Sequence, residues 1–301
     1  MKRPHSPTKD VTKKSKLVAT HYNEHRQQTQ TQRKYSDTYQ LRTFNNWIKS
    51  CLIMKFIVPD AVVLDLGCGK GGDLRKYFNH RIAYYLGVDI AEQSVKDAIG
   101  RYKEMKQPFD AKFIAIDCFN YNWSSLVNNL FDLVSSQFCI HYAFESMSKV
   151  KNTLFNVNNV LKSGGYWVAT IPNEDVIFHR LQNAKQTENG RVFGNAVYSV
   201  RIDEEWKSVY GRQYYFTLQD AVDDCPEYIV PWKEFSQLYQ EAGFELIMKK
   251  SFDKMYTDGA KDPQSKELFQ RMMKKGMDDH VMEEELWEVA TFYMVFVLRK
   301  K

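Results

Sequence analysis

Between Asp37 and Ile57 the apolar side chains Leu41, Phe44, Ile48 and Leu52 recur at three- and four-residue steps, a pattern that predicts a helix ending before Val58-Pro59. The chain then changes period. Short apolar runs at Val62–Leu66, Tyr84–Ile90 and Lys112–Ile116 alternate with helical stretches at Gly72–Phe78 and Ala91–Met105. Two more runs, Phe131–Ser136 and Gly165–Ile171, flank a helix predicted over Phe144–Leu161 that stops at Gly164-Gly165. Strands alternating with helices mean a parallel sheet joined by helical crossovers, that is, a doubly wound α/β fold. From Pro172 to Val230 the alternation fails; Tyr, Asn, Gln and charged residues dominate, with one strand predicted over Gln213–Leu218. This reads as an insertion above the sheet. A helix at Trp232–Ala242, a strand at Phe244–Lys250, a charged helical segment and a last strand at Thr291–Leu298 bring the sheet to seven strands. The late aromatics Trp287, Phe292, Tyr293 and Phe296 alternate as strand residues do.

Composition refines this picture at the N-terminus. Residues 1–20 are rich in Lys, Ser, Thr and Pro without apolar periodicity, and are expected to form a disordered basic arm ahead of a folded unit over 21–301. Lys2, Arg3, Lys9, Lys13, Lys14 and Lys16, opposed only by Asp10, carry the whole net charge of +5. The rest of the chain is therefore neutral on balance, and any polyanion must meet a local cluster of cations. The arm reads equally as a nuclear address or as a nonspecific RNA contact. The five cysteines are scattered and form no C-x-x-C pair, which points away from a zinc site and toward a reducing compartment. No stretch approaches the ~18 consecutive apolar residues of a membrane span.

The chemistry concentrates after the first strand, where Gly67-Cys68-Gly69-Lys70-Gly71-Gly72 opens a helix. Glycines there let the backbone turn tightly and lie close to a ligand. Gly67, Gly69 and Gly72 also satisfy the dinucleotide fingerprint, and a tight turn with no ligand is a third reading. Asp89, twenty-two positions after Gly67 at the end of the second strand, suits the ribose of an adenosine in either cofactor. Asp65 inside the first strand favours a methyl donor over a pyrophosphate. So does Asp117 after the third strand, which suits an adenine amino group or, alternatively, caps a helix. The fourth strand ends at Gln137, with His141 and Tyr142 just beyond, at the carboxyl edge where such sheets bind ligands.

Four segments, V-L-D-L-G-C-G-K-G-G-D, D-I-A-E-Q-S-V, S-S-Q-F-C-I-H-Y-A-F and N-N-W-I-K, resemble the eukaryotic mRNA cap guanine-N7 methyltransferases, in the family's order and from about His21 onward. The resemblance implies a Rossmann-like class I methyltransferase fold with a cap-binding insertion and S-adenosylmethionine as methyl donor. It implies donor contacts at Lys49, Gly67, Asp89, Asp117, Gln137 and Tyr142. It implies mRNA cap contacts at Asn45, Asn46, Lys70, Lys76, Arg101, His141, Glu227 and Tyr293. Cys118, where some relatives carry Ser, departs from the pattern beside the adenine. The expected substrate is capped mRNA, the expected setting the nucleus, and the expected state a monomer; an activating subunit or the polymerase's capping machinery are further partners the family suggests.

Methylation at guanine N7 needs no acid–base catalyst and no metal, because N7 presents a lone pair and carries no proton. Orientation is the task, and Glu227, His141 and Tyr293 are the residues expected to orient the purine. Glu227 suits guanine N1–H and the N2 amine, and its charge favours the purine as it turns cationic. Lys70, Lys76 and Arg101 suit the cap triphosphate. Two rivals keep the same fold: a methyltransferase for a small molecule or protein, and an inactive RNA-binding relative.

Overall fold

The first element described is a helix, α1 (Lys13–Glu24), followed by α2 (Tyr39–Phe56). The computed structural model describes residues 13–24, 36–203, 205–274, 276–277 and 281–301. After α2 come β1 (Val62–Leu66), α3 (Leu74–Asn79), β2 (Tyr84–Asp89), α4 (Glu92–Glu104), β3 (Asp110–Ala115), β4 (Phe131–Gln137), α5 (Met147–Val160) and β5 (Leu161–Pro172). The insertion holds α6 (Glu174–Gln182), β6 (Lys185–Thr187), β7 (Gly190–Gly194), β8 (Tyr198–Ile202), β9 (Gln213–Leu218) and β10 (Val222–Tyr228). The chain closes with α7 (Trp232–Glu241), β11 (Phe244–Ser251), α8 (Phe252–Gly259), α9 (Pro263–Met273), α10 (Glu284–Ala290) and β12 (Tyr293–Lys300).

Seven strands form one sheet in the order β11-β12-β5-β4-β1-β2-β3, parallel except for β12, which runs against both neighbours. Alternation along the strands explains its two covered faces. Val63, Leu133, Val168 and Val295 point to one side, where α2 packs Phe44, Trp47 and Ile48. Leu64, Val134, Trp167 and Phe296 point to the other, beneath Leu154 and Val157 of α5 and Phe235 of α7. Strands apolar on both faces are the mark of a parallel sheet enclosed by helices. Trp47 is fully buried, donates its indole N–H to the Ser265 carbonyl at 2.9 Å and meets the ring of Phe269 edge-on at 5.3 Å. Removing a side chain so enclosed costs about 3–5 kcal/mol. The winding reverses between β1 and β4, so their carboxyl ends open a crevice.

Three expectations are corrected. Residues 13–20 are not an irregular arm: they belong to α1, whose Ser15 and Val18 are buried against the fold. Residues 1–12 lie outside the described residues, and Lys2, Arg3 and Lys9 with them. The insertion is no single strand but a five-stranded antiparallel sheet, β10-β9-β8-β7-β6. Trp287 sits on α10, so its alternation with Phe292 was coincidence; the strand begins at Tyr293.

Candidate functional site

The glycine loop is tied to the end of β2 by its own backbone: the amides of Gly67 and Cys68 donate to the Val88 carbonyl at 2.7 and 3.0 Å. Gly67 takes φ +68°, and a Cβ there would fall 2.6 Å from that of Cys139, so only glycine fits. Gly69 takes φ +49° and faces open space. That space is a cavity of about 230 Å³ at the carboxyl ends of β1, β2 and β4.

Five of the six residues expected to hold the methyl donor line it: Gly67, Asp89, Asp117, Gln137 and Tyr142. Asp89 accepts from the Gly69 and Ala91 amides, each at 2.8 Å. Burial raises its pKa against the lowering effect of these bonds. Asp117 does two things: its Oδ1 accepts from the amides of Phe119 and Asn120, as a turn cap would, while its buried Oδ2 has no hydrogen-bond partner among the described residues. Gln137 donates from Nε2 to the Ser135 hydroxyl at 3.1 Å, leaving its buried Oε1 without a hydrogen-bond partner among the described residues. Buried acceptors are almost always satisfied, so two on one cavity wall fit a ligand that brings donors, as an adenine amine and an α-ammonium do.

Lys49 is not brought to this wall. Its Nζ pairs with Asp73 at 2.8 Å, and Asp73 also accepts from Lys76 at 2.6 Å. Lys76 in turn donates to Asn46 Oδ1 at 3.0 Å. Burial alone would raise the Asp73 pKa, but the two ammonium groups outweigh it and hold the carboxyl well below its usual range. Lys76 is pulled the other way: burial lowers its pKa, with Asp73 opposing. Asn45 lies on the same helix with a buried Oδ1 that has no partner among the described residues. Lys70 reaches Asp97 of α4 at 3.5 Å, and Arg101 stands half-buried one turn beyond Asp97.

Glu227 and His141 meet beside Tyr142, with Tyr293 near the Tyr214 that holds Glu227. Tyr214, fully buried on β9, donates its hydroxyl to Glu227 Oε2 at 2.6 Å. Glu227 Oε1 lies 3.6 Å from His141 Nε2, and neither nitrogen of that buried ring makes a hydrogen bond to a described residue. The His141 and Tyr142 rings are 4.3 Å apart, which joins this corner to the cavity. Tyr293, buried at the start of β12, meets the Phe138 ring edge-on at 4.9 Å.

Several lining residues escaped sequence reasoning. Phe138 sits at φ +57°, a conformation held by Thr170, whose carbonyl and hydroxyl both accept from its amide. Lys149 is buried in the cavity wall, where it donates to Glu145 at 2.7 Å and to the Ser15 hydroxyl at 2.9 Å and lies 3.8 Å from Asp117. It thereby fastens α1 over the cavity. Its signal in the sequence, a lysine one turn after Glu145, is that of an ordinary helix pair.

Comparison with known proteins agrees with this geometry. The family model of the mRNA (guanine-N(7))-methyltransferase domain matches residues 6–301. The mRNA cap guanine-N(7) methyltransferase of Schizosaccharomyces pombe is 42% identical over 299 residues, covering 95% of this chain and 82% of that protein. That of Cryptococcus neoformans var. neoformans is 40% identical over 302 residues, covering 96% of this chain but 48% of that protein, so this chain spans about half its length. Among solved structures the CcbJ methyltransferase of Streptomyces caelestis superposes with a TM-score of 0.54 at 12% identity, over 85% of this chain and 89% of that one. That likeness speaks for the class I S-adenosylmethionine-dependent methyltransferase fold. With its glycine loop, its seven-stranded sheet and a domain match running almost end to end, this chain belongs to the mRNA (guanine-N(7))-methyltransferase family.

Proposed function

We propose that the chain transfers a methyl group from S-adenosylmethionine to N7 of the guanosine cap of messenger RNA. The observation that carries this reading is the placement, on both sides of Tyr142, of buried polar atoms that make no hydrogen bond to a described residue: Gln137 Oε1 and Asp117 Oδ2 in the cavity, the latter with only the Lys149 ammonium at 3.8 Å, and the His141 nitrogens beyond it beside Glu227. When bound, S-adenosylmethionine supplies an electrophilic methyl on a sulfonium centre. Asp89 holds the ribose with lone pairs left over from Gly69 and Ala91, Asp117 takes the adenine amine, and Gln137 meets the amino-acid end. Glu227, held by Tyr214, takes guanine N1–H and the N2 amine and stabilises the purine as positive charge develops. No residue has to move a proton. Fixing donor and acceptor in line supplies roughly 7–11 kcal/mol of barrier reduction. Lys70, Lys76 and Arg101 face the cap triphosphate, and Lys49 acts on the donor side through Asp73 and the glycine loop. In this reading the catalytic domain includes α1 as well as residues 21–301, and the protein works in the nucleus.

The test is transfer of labelled methyl to guanosine-capped RNA, uncapped triphosphate RNA and free GTP, with the methylated nucleoside identified after digestion. Label at N7 of capped RNA, abolished in Asp89→Ala, is the expected result. Donor binding without label on capped RNA overturns the cap reading and directs the search to a different acceptor.

A further inference from the structure

Beyond the cavity and the Glu227 corner, a broad groove opens between α2, α3 and α9. Arg75 and Lys76 line it from α3, Arg271 from α9 and Asn46 from α2, and among the described residues no carboxylate lines it. The three cations are not equivalent. Lys76 is committed to Asp73, whereas Arg75 and Arg271 are exposed and make no hydrogen bond or ion pair with any described residue. The sign is local. A second surface groove, between α5 and α7, carries Glu234 and Glu241 and, among the described residues, no cation. Away from the N-terminal arm the chain is neutral overall, so two uncompensated guanidinium groups on opposite walls of one groove are not explained by general basicity.

The groove adjoins the glycine loop: Gly72 of that loop lines it, and the Lys76 ammonium bonds both Asn46 in the groove wall and Asp73 at the end of the loop. A chain leaving the cap triphosphate near Lys70 and Lys76 therefore enters this groove. Its chemistry suits a polyanion whose charges repeat along a backbone: guanidinium forks pair with phosphate oxygens in bidentate fashion, and Leu268 and Met272 beside Arg271 offer apolar surface to a ribose or base. We propose that this groove binds the sugar–phosphate backbone of the nucleotides that follow the cap, with Arg75 and Arg271 each meeting one phosphate. The inference rests on the cap-methylation reading. Contacts to phosphate alone carry no sequence information, so the groove adds affinity for RNA of any sequence.

The experiment compares the full chain with an Arg75→Gln/Arg271→Gln double variant. Binding of a capped 12-nucleotide RNA and of the cap dinucleotide GpppG is measured across a salt series, with N7 methylation of both followed in parallel. The native chain is expected to bind the capped RNA more tightly than the dinucleotide, and the gap is expected to close as salt rises. Each single-strand phosphate contact adds about 0.7 to the slope of log K against log salt, so the double variant should lose about 1.4 of that slope on the capped RNA. Its handling of GpppG should not change. An unchanged slope overturns the proposal, as does an equal loss on GpppG, which would put the arginines on the cap itself. So does a loss confined to an acidic peptide such as polyglutamate, which would give the groove to a protein partner. If neither acceptor is methylated by the native chain, the cap reading fails and the groove's assignment with it; methylation of both with an unchanged slope sinks the groove alone.

Discussion

Two groups of polar side chains, one fastened to Asp73 at the end of the glycine loop and one along the cavity and the Glu227 corner, differ in whether their hydrogen-bonding capacity is met inside the protein. In the Lys49–Asp73–Lys76–Asn46 group every charge has a partner within 3.0 Å. In the other, Asp117, Gln137 and His141 each keep a buried atom with no hydrogen bond to any described residue, Asp117 having only the Lys149 ammonium at 3.8 Å. A closed network holds architecture, here the fastening of α2 and α3 to the loop. An open one is costly to the empty protein and is worth keeping only where a ligand completes it.

The sharpest way to break the closed group is Asp73→Ala, which leaves two buried ammonium groups facing each other. The expected loss is about 3–5 kcal/mol, read as a fall in the denaturant midpoint. A change below 1 kcal/mol would show that water, not Asp73, balances Lys49 and Lys76. The open group should respond in the opposite manner. Asp117→Asn keeps an oxygen for the Phe119 and Asn120 amides but presents a donor to the adenine amine. Stability should hardly move, while donor affinity falls by about 1.5–3 kcal/mol, roughly 10- to 150-fold, in a calorimetric titration.

Asp65 lies close to Asp73 and Lys49 of the closed group and sharpens the contrast through pH. Burial, with Asp73 adding to it, raises its pKa to about 8 despite the Tyr85 hydroxyl at 2.9 Å. The folded state therefore holds a proton that the unfolded state releases near pH 4. Between those values the native form binds more protons, so stability falls as pH rises toward 8, by at most about 1.4 kcal/mol per pH unit from this group. Asp65→Asn should flatten that dependence between pH 6 and 8; an unaltered slope would mean that Asp65 is ionised in the fold. The smallest effect is expected at α1. Ser15→Ala removes one bond from Lys149 and should weaken donor binding by about 0.5–1.5 kcal/mol without altering discrimination among caps.

Much of this was legible in the sequence because it is local. The strand ends that place Asp89, Asp117 and Gln137 follow from apolar runs bounded by a glycine loop and turns, and the boundaries of β1 and β9 agree to the residue. What was missed depends on distant contacts or on sparse patterns. Helix α1 buries Ser15 and Val18 in a lysine-rich segment, too little periodicity to outweigh composition. Strands β6 and β7 are short and carry no fully buried residue, so no alternation announces them. Lys49 shares a helix face with Asn46, but only the fold brings Asp73 to it. Tyr214 meets Glu227 because antiparallel pairing sets them opposite each other, a register invisible while β10 was unread.

The account turns on Glu227 reading the guanine edge, and one measurement addresses that most directly. RNAs capped with guanosine, inosine and adenosine all present N7, but inosine lacks the N2 amine and adenosine lacks both donors. Methylation efficiency, as kcat/KM, should fall in that order for the native chain, and Glu227→Ala should lose most of its activity on guanosine caps while the three become nearly equal. If Glu227→Ala keeps the native preference for guanosine, the carboxylate does not read the base, and the corner formed by His141, Glu227 and Tyr293 is not where the cap is recognised.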